Sequence, residues 1–147
     1  MSSGFILLAP LRGGAADAAR AAIAALDEPF ARVQGTHLAR VQVLEGAHLL
    51  LAADYDGELE PWLIAAVCEL DSVLVYCESW PGAEDRAGVM RWARARERKV
   101  GFSVVAAPHA TVERIGAALA LRERLARFAA ETEGLDVEAL HAAWRAR

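Results

Sequence analysis

The segment THLARVQVLEGAHLLLAADYDG, from Thr36 to Gly57, alternates with a strand period on both sides of a tight turn and carries apolar side chains on both faces. A sheet resting on one layer of helices needs only one apolar face. A hairpin that is apolar on two sides has to be covered twice. With Glu45 and Gly46 as the turn, one face holds His37, Ala39, Val41, Val43, His48, Leu50, Ala52 and Asp54. The other holds Leu38, Arg40, Gln42, Leu44, Ala47, Leu49, Leu51, Ala53 and Tyr55. Helices cover one side. A second sheet, most simply that of another copy of the chain, covers the other, so the pattern predicts a homodimer that buries sheet against sheet. The alternative is a monomer whose extra helices fold over the open face.

The rest of the chain supplies the helices. Phe5 to Leu11 is a buried strand stopped by Arg12, Gly13 and Gly14. Ala15 to Leu26 is alanine-rich and helical. Leu59, Trp62, Leu63, Ala66, Val67 and Leu70 keep helical spacing, with Pro61 in the first turn, where a missing N–H costs nothing. Cys68 is expected in the core beside them. Ser72 to Cys77 (SVLVYC) is β-branched and reads as a strand, Glu84 to Lys99 as a polar helix, and Gly101 to Ala107 as a strand. Thr111 caps a long helix to about Glu131; Gly134 breaks it, and Asp136 caps a terminal helix, Val137 to Arg145. Val112, Ile115 and Leu119 share one face of the long helix, whereas Leu121, Leu125 and Phe128 point roughly the other way. This order predicts an α+β fold: a ferredoxin-like antiparallel sheet with helices on one face, pairing into a dimeric alpha-beta barrel, and a C-terminal helical extension from about residue 111 on a single domain.

Composition excludes several classes of function. A net charge of -4 gives no pull toward nucleic acid. The run Phe5 to Leu11 is too short to span a bilayer and has no basic lead, so no membrane partner or signal peptide is expected. Two cysteines without metal spacing point to reduced thiols in a cytoplasm.

Chemistry has to come from scattered polar residues. His37 and Asp54 fall opposite each other in the assumed register. A carboxylate beside an imidazole fixes its tautomer and raises its basicity, which suits a general base; the alternative is a hydrogen-bonded strand-end pair. A one-residue shift in the turn replaces Asp54 by Tyr55. Arg40 and Gln42 interrupt an apolar face. A guanidinium there needs an anion, either a ligand carboxylate or enolate or an internal acid such as Glu69 or Glu78. Tyr55 joins Arg40 and Gln42 as a candidate substrate contact. Asp54, Asp56 and Glu58 suggest a cation site less well than they suggest Asp56 as a helix cap. Arg91, Arg94 and Arg98 form a basic stripe that fits a solvated helix face. His109, after Pro108, and His37 are the candidate axial ligands should haem bind. No metal site is expected, and no cofactor beyond the haem alternative.

The blocks THLARVQVLEG, LLLAADYDGELEPWL, VYCESWPG and VVAAPHATVERI resemble a bacterial and fungal group of proteins related in fold to dye-decolourising peroxidases. The likeness spans roughly Thr36 to Ile115 and matches at His37, Arg40, Asp56, Gly57 and Cys77. It implies the dimeric alpha-beta barrel superfamily, which also includes chlorite dismutases and small cofactor-free monooxygenases and cyclases. It carries no haem ligand onto this chain. Three functions are therefore expected in turn: a cofactor-independent enzyme acting by proton transfer, cyclisation or oxygenation on an anionic small molecule, a haem-binding peroxidase-like protein, or a non-catalytic accessory protein.

Overall fold

The structure is a computed structural model that describes residues 2–45, 47–99 and 110–146. The chain forms two compact units, residues 1–112 and 113–147. The first contains a three-stranded antiparallel sheet of order β1-β3-β2, from β1 (Ser2–Pro10), β2 (Thr36–Leu44) and β3 (His48–Asp56). Three helices accompany it: α1 (Ala16–Ala24), α2 (Leu59–Leu74) and α3 (Arg86–Arg96).

One face of the sheet builds the core. Phe5, Leu7 and Ala9 of β1 and Leu49, Leu51 and Ala53 of β3 are buried against Leu63, Ala66, Val67 and Leu70 of α2 and Val89 and Trp92 of α3. Ala39, Val41 and Val43 of β2 complete this face. Each fully buried Leu or Phe contributes about 1.5–3 kcal/mol, which makes this apolar layer the main driving force for the fold. The opposite face carries Ile6 and Leu8, then Leu50 and Ala52, then Leu38, Arg40 and Gln42; none of these is fully buried, and Leu38 is 58% exposed.

The register differs by one residue from the expected hairpin. Leu44 pairs with His48, so the turn takes an extra residue, and Ala47 adopts φ 61°. The shift places Val43 opposite Leu49 and Arg40 opposite Ala52. Arg40 and Gln42 therefore share the open face with Leu50 and Ala52, not with Leu49 and Leu51. Near Thr36 the offset is absorbed by a bulge: Thr36 pairs with Tyr55 and Leu38 with Asp54, leaving His37 as the extra residue.

Three further expectations are corrected. Ser72 to Leu74 continue α2, where Val73 and Leu74 are buried; of SVLVYC only Cys77 makes a strand-like bridge, to Leu11. Helical packing outweighs β-propensity here because the apolar spacing of α2 runs on through Leu70, Val73 and Leu74. Cys68 is exposed and Cys77 is the buried thiol. Asp56 does not cap α2, whose N-cap residue is Glu58 and has no side-chain cap. The expected strand Gly101 to Ala107 lies outside the described residues. The outer edge of β1 nonetheless receives a bridge from Glu97 to Leu7, and the Arg98 N–H donates to the Ile6 carbonyl at 2.8 Å.

The second unit holds α4 (Val112–Glu131, begun at the end of the first) and α5 (Val137–Arg145). Asp136 caps α5 by accepting from the Ala139 N–H at 2.8 Å. Phe128 meets Trp144 edge-to-face with centroids 5.1 Å apart, and both line a small groove of about 190 Å³ with Leu121 and Arg124. No described helix is long and apolar enough to cross a membrane.

Candidate functional site

The end of the β2–β3 ladder gathers the most polar chemistry in the first unit. Gly35, at φ 79°, turns the chain into β2 so closely that an added Cβ would lie 3.1 Å from the Asp56 carbonyl oxygen. Its own carbonyl accepts from the Asp56 N–H at 2.8 Å. Next to it, the Thr36 hydroxyl donates to the Val33 carbonyl at 2.8 Å and accepts from Trp62 Nε1 at 2.9 Å. Trp62 stacks on Tyr55 at 4.6 Å and meets Phe5 edge-on. These contacts fix Gly35 and Thr36, the two residues that lead into His37.

Freed from the ladder by the bulge, His37 turns to Asp56. Its Nε2 lies 3.1 Å from Asp56 Oδ2, with the two side chains 20% and 17% exposed. The approach is an ion-pair distance without hydrogen-bond alignment. The same carboxylate oxygen accepts from the Val112 N–H at 2.8 Å. That backbone donor is the main reason the Asp56 carboxyl sits below its ordinary range; burial opposes the shift and His37 adds to it. An anionic Asp56 therefore faces the imidazole at ion-pair distance across neutral pH.

The expected residues separate into different places. His37 meets Asp56 and not Asp54; Asp54 lies between Leu38 and Gly4 in the sheet. Arg40 and Gln42 are exposed on the open face, and neither Glu69 nor Glu78 pairs with Arg40: Glu69 holds Arg32 at 3.3 Å. Tyr55 is 4% exposed, packed in the core under α2, and burial is the first cause of its raised pKa. Its expected role as a substrate contact is thereby corrected, since odd-numbered positions of β3 face the helices. Arg91, Arg94 and Arg98 are exposed, as a solvated face requires. His109 lies outside the described residues. Among the described residues no group of three His, Cys, Asp or Glu is placed to hold a metal ion.

Sequence reading missed a second polar cluster, at the corner after α2. Trp92 Nε1 donates to the Glu78 carbonyl at 3.0 Å, and Arg96 lies over the Trp92 ring at 4.8 Å. Arg96 Nη2 reaches the same Glu78 carbonyl at 3.1 Å, and Arg12 Nε reaches the Cys77 carbonyl at 3.3 Å. Burial pushes the Cys77 thiol up to about 11 despite the opposing pull of Arg96 and Arg12. The Trp92–Arg96 spacing of one helical turn was the available signal. Arg12 lies far off in sequence and gave none.

No family model, curated protein or solved structure matches this chain.

Proposed function

We propose that the chain is a ferredoxin-like, small-molecule-binding protein of the dimeric alpha-beta barrel type. Two copies bury their open sheet faces against each other and enclose a pocket for an anionic organic ligand. The reading is carried by one observation: a sheet covered by helices on one side keeps Ile6, Leu8, Leu50, Ala52 and Leu38 on the other, with a guanidinium among them. The strand order β1-β3-β2 and the occupation of the outer edge of β1 by Glu97 and Arg98 support a fourth strand in the ferredoxin-like position.

In this reading Arg40 holds a carboxylate or enolate oxygen of the ligand and Gln42 hydrogen-bonds beside it. His37 takes or returns a proton, with Asp56 in the orienting place that sequence alone gave to Asp54. Proton transfer of this kind serves isomerisation, cyclisation or cofactor-free oxygenation of an acidic C–H substrate. Two free thiols and a net negative charge suit a reducing cytoplasm.

The test is ligand-observed NMR with a panel of aliphatic and aromatic carboxylic acids, followed by deuterium exchange at their acidic C–H positions. At least one acid binds, Arg40→Ala abolishes its binding, and His37→Ala abolishes exchange while leaving binding in place. If both variants leave binding and exchange untouched, the proposed roles are wrong.

A further inference from the structure

Two arginines at the corner between β1 and α3 are held in place without being neutralised. Arg96 is fixed on three sides: its ring partner is Trp92 at 4.8 Å, and its Nη1 and Nη2 donate to the Trp92 and Glu78 carbonyls at 3.3 and 3.1 Å. Its Nε is buried and has no hydrogen-bond partner. Arg12 enters the same corner from the end of β1. Its N–H donates to the Tyr76 carbonyl at 2.9 Å and its Nε to the Cys77 carbonyl at 3.3 Å. Those two acceptors and the Glu78 carbonyl belong to consecutive residues.

All these partners are neutral. The ion pairs of the described residues are Arg20 with Asp17, Arg32 with Glu69 and His37 with Asp56; Arg12 and Arg96 form none, and neither do the nearby Glu78 and Glu97. A guanidinium pinned by carbonyls keeps its full charge and loses its freedom to swing away, which is the preorganisation that anion recognition needs. The terminal nitrogens of Arg12 remain free to form a two-pronged contact. The chain is open next to Arg12: Gly13 and Gly14 are exposed, and an added Cβ on either would meet no atom within 4 Å.

We infer that Arg12 and Arg96 form an oxyanion-binding site that takes a phosphate or carboxylate group at the β1–α3 corner. The anion bridges the Arg12 fork and the Arg96 charge over the 76–78 segment. Its signal is built in, because Trp92 lies directly under Arg96 and also meets Trp80 at 4.9 Å.

The experiment titrates the full chain with inorganic phosphate and, separately, with acetate, by calorimetry and tryptophan fluorescence, using sodium chloride at matched ionic strength as the blank. Saturable heat and a fluorescence change above the blank are expected for at least one anion. A response to phosphate alone assigns a phosphate-bearing ligand, and a response to acetate alone a carboxylate. Arg12→Gln, which removes an exposed side chain with one hydrogen bond of its own, should weaken binding about tenfold or more. Arg96→Lys should weaken it while retaining part of the charge, and Arg91→Gln, on the exposed side of α3, should leave it unchanged. A wild-type response no larger than chloride for both anions overturns the site. So does undiminished binding in Arg12→Gln.

Discussion

Asp56 shows how one side chain joins separate stretches of the first unit. It closes the turn into β2 through its backbone, faces His37 at 3.1 Å, and accepts from the Val112 N–H. Asp56→Asn keeps the shape and removes the charge. A hydrogen bond to a charged acceptor is worth about 1.5–3 kcal/mol, so urea unfolding at neutral pH should show a loss near the lower figure. The pH dependence follows from the sign of the shift. The folded carboxyl titrates below its unfolded value of 3.8. Its contribution is fully present above that value and is lost as pH falls through the lower folded value. The gap between wild type and variant should therefore close in that acid window; a gap that stays constant down to acid unfolding contradicts the assignment. His37 was legible in the sequence as a site residue, but its acid was not: Asp56 reads as a helix cap there, and the bulge at His37 sets the imidazole against Asp56 in place of Asp54.

The elements show where sequence patterns carry information and where they run out. The apolar spacing of Leu59 to Leu70 located α2, and Asp136 marked the start of α5, because helical periodicity and caps are local signals. The hairpin was legible as a hairpin. Its register was not, since a turn with one more residue costs little and exchanges the faces of β2 relative to β3. SVLVYC misled because β-branched residues packed on a buried helix look the same as a strand over six positions. The turn residue Ala47, at φ 61°, holds a conformation that costs an L-residue about 1–2 kcal/mol. Ala47→Gly removes that cost but adds freedom to the unfolded chain, so a net gain of about 0.5 kcal/mol is expected. Chemical denaturation of the variant measures it, and a loss of stability would mean that the register seen in this hairpin is not the one the chain adopts.

At the level of the whole chain, the question posed by the hairpin persists in a sharper form. Leu49 and Leu51 are accounted for by the helices. Leu50, Ala52, Ile6, Leu8 and Leu38 are not. In the second unit, Ile115, Leu119, Leu121 and Leu125 are also exposed, so the described residues present two apolar surfaces through which copies can meet. Multi-angle light scattering behind size exclusion, at micromolar concentration, on the wild type and on Leu50→Glu distinguishes them. A wild-type mass of twice 15.8 kDa and a folded monomer for the variant are expected. A wild-type monomer, or a dimer that Leu50→Glu leaves intact, contradicts pairing through the open sheet face.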